Sequence, residues 1–355
     1  MLDSNISAFI QAQLADTIAQ KQLTKPLLDL IYQKKWFNLW VPTRYAGLGA
    51  ELAAGCRLLE ELAYIDGGFG WTVTLCAGAN MFAGFIAPDL AEQIFKQAQV
   101  CWGGSGKPAG RADKLADGYR ISGLWKYATG APHLSHFTLN AWLYEDGAPI
   151  LDEAGVPQYR SFFVDREDVL IHYDWNTFGL ECTASHSFSV EELIVAQNRA
   201  FDLQPDKRTL DDPLFRYPFM TFAECTLAVN YIGMFRRFLD LTERYFFVKA
   251  ADASWAKTRG KVLFKQIDQL RTDVDQSVAR LYMLMEQTWN LTHTAEEHMG
   301  EISTLSRFLV GRIKEETIRL FPYLGIYGAQ RENEVNRVFR HLFTASQHAL
   351  LNTES

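Results

Sequence analysis

Cysteine is scarce and unpatterned in this chain. Cys56, Cys76, Cys101, Cys182 and Cys225 are the only five in 355 residues, an odd number with no CxxC pair. That excludes a disulfide framework, gives no zinc-site spacing, and reads as reduced thiols in a cytoplasmic protein. Positive charge is also in deficit: the net charge is −7 and no basic stripe offsets it, so no nucleic-acid partner is expected. The N-terminal "MLDSNISAFIQAQLADTIAQKQ" lacks the basic and apolar regions of a signal peptide. Internal repeats and low-complexity tracts are absent. Charge itself is missing from residues 67–88, a stretch long enough to span a bilayer. It nevertheless holds five glycines, two threonines and an asparagine, and no second such stretch exists. A helix buried on all sides, with no membrane partner, is the expectation.

What is present is ordinary globular composition, with 48% hydrophobic and 22% charged residues, in a chain long enough for two or three domains. Residues 1–98 read as helical. Ile6, Phe9, Ile10, Leu14 and Ile18 mark one face, Thr24 and Pro26 start a second helix, and Pro88 a third. Residues 99–203 change to short alternating runs with Gly and Pro punctuation, including "SFFVDREDVLIH" and "SHSFSVEELIV". Residues 204–355 return to long helices: 213–249, 257–298, 303–320 and 331–350. Short links between long helices imply an antiparallel bundle. The fold class is therefore α+β: an N-terminal α-helical domain, a middle β-domain and a C-terminal four-helix bundle.

The segment "DGYRISGLWKYATG" (117–130) is the most informative. Asp117-Gly118 suits a type I′ hairpin turn. In the strand that follows, Tyr119, Ile121, Gly123, Trp125 and Tyr127 alternate onto one face, and Arg120, Ser122 and Lys126 onto the other. Two large rings, a threonine and a glycine at the strand end imply either a wide barrel or a flat group lying against it.

Other motifs fail on inspection. "CWGGSGKPAG" lacks the first glycine of a phosphate loop and has Pro108 where Ser or Thr is required. The histidines of "HTAEEH" (293–298) do not share a helical face and are expected in solvent. His133 and His136 have no acidic or cysteine partner nearby in sequence and read as loop histidines without metal. There is no GxSxG elbow.

The runs "VPTRYAGLG" (41–49), "DGGFGW" (66–71), "PAGRADKLADGYRISGLWKYATG" (108–130), "DWNTFGLECTASHSFSVEELIV" (174–195) and "FPYLGIYGAQRENEVNRVFRHLFTASQH" (321–348) resemble, in order and spacing, the acyl-CoA dehydrogenase superfamily. They are most similar to its flavin-dependent monooxygenases of the two-component aromatic hydroxylase type. The resemblance implies a middle β-barrel and a flavin (FAD or FMN) against the strand end. Tyr127 would then pack near the ring, and Ala128 and Thr129 would meet its N5–O4 edge. Trp102, Gly103 and Ser105 would line the ring or its ribityl-phosphate arm.

It also separates two chemistries. Dehydrogenases of the family carry a catalytic glutamate where Ala349 aligns, after an Arg-Asp pair that is Arg340-His341 here. His348 matches the active-site histidine of the hydroxylases, able to deprotonate a phenol or steady an oxygenated flavin. Ala256, Arg259 and Ile267 stand where relatives hold the FAD dinucleotide, and Glu181 stands where a basic residue is common. The expected function is thus a reduced-flavin monooxygenase acting on an aromatic or polyketide-like substrate, with a separate flavin reductase and a homotetrameric assembly. The alternatives are an acyl-CoA dehydrogenase or oxidase, and a flavin-free binding or assembly protein that kept the fold.

Overall fold

The computed structural model describes residues 2–289 and 295–352. Its first block holds five helices: α1 (Ser4–Gln20), α2 (Lys25–Gln33), α3 (Leu52–Ile65), α4 (Gly67–Asn80) and α5 (Pro88–Phe95). Thr24 precedes α2 and Pro88 opens α5, where a missing N–H costs nothing. In α1 the buried positions are Ile10, Leu14 and Thr17, while Phe9 and Ile18 lie at the surface. The charge-free stretch forms α4, buried from Gly67 to Asn80 at nearly every position. No helix among the described residues is long and apolar enough to cross a membrane.

The middle block is one mixed sheet of β1 (Trp102–Leu115), β2 (Gly118–Ala128), β3 (His136–Glu145), β4 (Ala148–Pro149), β5 (Tyr159–Asp165), β6 (Leu170–Ile171), β7 (His186–Ala196) and β8 (Ala200–Phe201). Its order is β6-β7-β2-β1-β3-β5-β8, with β4 on β3. Only β1 and β3 pair in parallel. The pairing path is open, where a barrel was expected, because both end strands are two residues long and do not reach each other.

The hairpin turn also departs from expectation. Leu115 pairs with Gly118, so Ala116 and Asp117 form the loop, and neither has positive φ. Gly118 is needed for contact instead: a Cβ there would sit 2.0 Å from the Val195 carbonyl oxygen of β7. The Asp-Gly turn with two positive φ angles occurs after β3, at Asp146 (50°) and Gly147 (82°).

The last block contains the short α6 (Pro213–Arg216), α7 (Phe219–Lys249), the short α8 (Ala253–Trp255), α9 (Lys261–Thr288), α10 (Ala295–Leu320), the short α11 (Gly325–Ala329) and α12 (Glu334–Ala345). Pro218 splits the expected 213–249 helix, since its ring cannot continue α6. The expected 257–298 helix ends at Thr288, and His293 lies outside the described residues. His298 is half-buried on α10 with Nδ1 unpaired, rather than solvated. Most of the apolar surplus of α7 is used inside the chain, where the helix packs on α3, α4, α9, α10 and α12, while Phe247 and Val248 near its end stay exposed.

Asp66 ties the three blocks together. Its side chain caps α4 by accepting from the N–H groups of Gly68 and Phe69, both at 3.0 Å. Arg337 Nε of α12 donates to the other carboxylate oxygen at 3.2 Å, and His341 Nε2 faces that oxygen at 3.6 Å. On its other side, His341 Nδ1 accepts from Leu180 N of the β-block at 2.8 Å. Burial alone would raise the Asp66 pKa, but His341, Arg337 and the Phe69 N–H together hold it far below the ordinary carboxylate range.

A depressed folded-state pKa contributes stability that is full above the unfolded value of about 3.9 and is lost as pH falls toward the folded one. Asp66→Asn keeps an acceptor for the cap but removes the charge. It should lower unfolding free energy at neutral pH by roughly 3 kcal/mol, the low end for breaking a buried pair. Urea unfolding from about pH 7 to about pH 3 should show the gap between variant and wild type closing on acidification. A gap unchanged with pH would show that the charge contributes nothing.

Candidate active site

β2 ends in a break of register with β7 between Trp125 and Ala128. At the break Tyr127 adopts φ +69°, so the expected alternation stops: Tyr127 turns outward, 68% exposed, and Ala128 turns into the core. A left-handed conformation is costly for a bulky residue and persists only where its surroundings impose it. Gly130, Leu180 and Ala184, in the loops that meet there, also have positive φ. The exposed Tyr127 ring stands at 75° to Trp175, with centroids 6.2 Å apart. Trp175 is fixed by its indole N–H donating to the Leu180 carbonyl at 3.1 Å and by its backbone N–H donating to His186 Nδ1 at 2.9 Å. Two perpendicular aromatic walls, one open to solvent, suit a flat heterocycle.

The other expected ring contacts differ. Thr129 is buried, and its hydroxyl shares a hydrogen bond with Ser185 at 3.0 Å; Ser185 continues to Thr183 at 2.8 Å. Trp102 is fully buried and stacked on Phe163 at 4.6 Å, so its ring belongs to the core. Gly103 is buried against Leu134 and the Thr129 carbonyl, and Ser105 is half-buried on the same strand. Ile267 is fully buried in α9 and has no surface for a dinucleotide. Glu181 is paired with Arg340, which also donates to the Phe178 carbonyl at 2.6 Å. That pairing offsets the repulsion an acidic residue would exert on a phosphate. Gly179 permits the contact, since a Cβ there would lie 2.1 Å from the Arg340 carbonyl oxygen.

His348 follows α12 on an exposed turn. Its ring meets Trp71 of α4 edge-on, with centroids 5.8 Å apart. Tyr231 of α7 donates to the Ala345 carbonyl and holds the end of α12 in place. Nδ1 accepts from Leu350 N at 3.3 Å. One flank reaches solvent, and burial of the remainder lowers the pKa from its ordinary value. The charged cleft of about 460 Å³ bordered by Glu60, Arg236, Asp275 and Tyr282 involves none of these residues.

Helix α4 is the element that Thr129 and His348 both touch: Cys76 Sγ lies 3.7 Å from the Thr129 carbonyl oxygen, and Trp71 meets His348. Five residues of helix separate those contacts by about 7.5 Å of rise. Asp66, Trp71, Trp175, Ser185 and His341 complete this junction; of these only His341, in the Arg340-His341 pair, was singled out from the sequence. The N-cap aspartate before the charge-free run and the tryptophan of "DWNTFGL" were the available signals.

The aromatic corner fits an isoalloxazine ring, and the Glu181–Arg340 pair removes an electrostatic objection to its phosphate arm. Thr129→Val should cost the protein without flavin about 1 kcal/mol, the usual value of a hydrogen bond. Tyr127→Ala, at an exposed ring, should leave stability unchanged and weaken flavin binding. Thermal unfolding and flavin titration of both variants separate the two roles, and reversed effects would exchange them.

No family model matches the sequence. Indole-3-acetate monooxygenase of Pseudomonas putida is 24% identical over 347 residues, covering 96% of this chain and 87% of that protein. The HsaA monooxygenase structure from M. tuberculosis superposes with a TM-score of 0.88 at 20% identity, over 99% of this chain and 93% of that one. XiaF from Streptomyces sp., solved with FADH2 and glycerol, gives a TM-score of 0.76 at 18% identity, over 99% and 94%. The resemblance read from the sequence is met: this chain has the acyl-CoA dehydrogenase-like fold and is similar over nearly its whole length to flavin-dependent monooxygenases.

Proposed function

We propose that the protein is the oxygenase component of a two-component flavin-dependent monooxygenase, hydroxylating an aromatic substrate with reduced flavin from a separate reductase. What supports this reading most is the similarity over nearly the whole chain to flavin-dependent monooxygenases, together with an exposed aromatic corner at the end of β2, His348 against Trp71 of α4, and an alanine where a dehydrogenase needs its glutamate. Reduced flavin would supply the two electrons with which dioxygen is split between product and water. One of the perpendicular rings of Tyr127 and Trp175 would lie against the flavin face and the other against its edge, and the Thr129–Ser185–Thr183 hydroxyl chain would hold the backbone beside it. The reading assigns 1–98 to a helical domain, 99–203 to the β-domain and 204–355 to a four-helix bundle.

His348 takes the second of its two expected roles. Because Nδ1 accepts a backbone N–H, the neutral ring carries its proton on Nε2 and presents a donor. The lowered pKa keeps it in that form at neutral pH. A fixed donor stabilises negative charge developing on oxygen without moving a proton.

Exposed Phe247, Val248, Val262, Phe308, Ile318 and Ile326 on the C-terminal helices support a homo-oligomer, expected as a tetramer. Light scattering at micromolar concentration should give a mass above the monomer's; a monodisperse monomer would overturn that part alone.

The central test is oxygen-dependent product formation from phenols, indoles and aromatic polyketides with enzymatically reduced FAD or FMN. Oxidation of acyl-CoA thioesters without oxygen insertion would replace the reading with the dehydrogenase, and absence of flavin binding with the assembly protein. Within the test, His348→Ala should lower turnover roughly 10²–10³-fold. His348→Gln, which keeps an N–H near the Nε2 position, should recover most of that loss. A glutamine variant as slow as alanine would return His348 to the role of base.

A further inference from the structure

Cys76, Cys101 and His133 come from three distant parts of the chain, and their ligand atoms all lie within 4.8 Å of one another. Cys76 belongs to α4, Cys101 immediately precedes β1, and His133 ends the single turn Ala131–His133 after β2. Both thiols are fully buried. His133 is half-buried, yet its Nε2 is buried with no hydrogen-bond partner, an orphan beside two buried thiols. It faces Cys76: a Cβ placed on Gly130 would lie 2.6 Å from that nitrogen and 3.2 Å from Cys76 Sγ. Phe37 stacks on the imidazole at 12° and 5.7 Å, which holds the ring in this orientation.

We propose that these three residues bind one zinc ion, as a structural clamp between the helical block and the sheet. The donor set selects the metal. Two sulfurs and an imidazole suit a thiophilic cation and exclude calcium and magnesium, which take oxygen. Two thiolates with Zn²⁺ sum to zero charge, whereas Cu⁺ would leave a buried negative charge unpaired. Tetrahedral zinc spaces sulfur and nitrogen donors about 3.5–3.8 Å apart, so from separations of at most 4.8 Å the trio needs to contract by up to about 1.3 Å. The Thr129 carbonyl oxygen, 3.7 Å from Cys76 Sγ, would be available as a fourth donor. No local spacing links the members of this set, so it is not legible in the sequence. The clamp stands independently of the monooxygenase reading, since it requires neither flavin nor substrate.

The test uses the reduced full-length protein and zinc or cobalt salts alone. Metal analysis after zinc addition and desalting should find a stoichiometric equivalent, with a raised thermal midpoint. Cobalt should give the intense near-ultraviolet absorption of thiolate coordination. Cys76→Ser and His133→Ala should lose both signals, while Cys225→Ser, at a buried thiol outside the trio, should keep them. Should the serine variant fail to fold, the cobalt spectrum of the wild type decides. Absence of cobalt–thiolate absorption together with an unmoved midpoint would overturn the proposal and leave two ordinary core thiols. A Cys76–Cys101 disulfide found by non-reducing peptide mapping would overturn it in favour of redox chemistry.

Discussion

One buried carboxylate organises this molecule. Asp66 starts α4, receives Arg337 and His341 from α12, and through His341 reaches the backbone of Leu180 in the β-block. A charge in so dry a place is tolerated only with full compensation, which comes from the first and last blocks, while the β-block holds His341 in place through the Leu180 N–H. The blocks are therefore not free to slide, because any relative shift strips a partner from an ion that cannot regain water. Phe178 of the β-block, which meets Phe343 of α12 with ring centroids 6.0 Å apart, inherits that fixed spacing.

Around the same junction the backbone stores strain rather than relaxing it. Tyr127, Leu180 and Ala184 sit in left-handed conformations that β-sheet and loop would ordinarily avoid. At Tyr127 the strain has a visible product, an aromatic ring directed to solvent that a regular strand would have buried. The hydrogen bonds of Thr129, Ser185 and Thr183 offset part of that cost and hold the two loops together. A scaffold that spends stability to expose a ring is consistent with a ligand that later covers it.

The architecture was largely legible in the sequence because its signals are local. Thr24, Pro26 and Pro88 mark helix starts, the charge-free run is the buried α4, and alternation marks β2 and β7. What escaped depends on contacts between remote segments. The slip at Trp125 and Ala128 is set by pairing with β7, so alternation alone wrongly turned Tyr127 inward. Trp102 looked like a ring contact, yet Phe95, His136 and Phe163 enclose it. Thr129 was placed correctly at the strand end, but its hydroxyl partner, Ser185, comes from another loop. The Cys76–Cys101–His133 group was invisible for the same reason.

The Arg340-His341 pair shows how such a remote contact can explain a local departure. Relatives of the dehydrogenase type have an aspartate where His341 stands. Here that position lies between two carboxylates, 3.6 Å from Asp66 on one side and 3.9 Å from Glu181 on the other. A third carboxylate would face two like charges in a low dielectric, where each pair repels by several kcal/mol at such distances. An imidazole avoids that, and its Nδ1 additionally accepts the Leu180 N–H, which would otherwise be buried without a partner. Arg337 and Arg340 complete the balance, two cations against two anions. The histidine follows from the presence of Asp66 and Glu181, so the departure from the dehydrogenase pattern at this position is electrostatic in origin. It carries no information about the reaction.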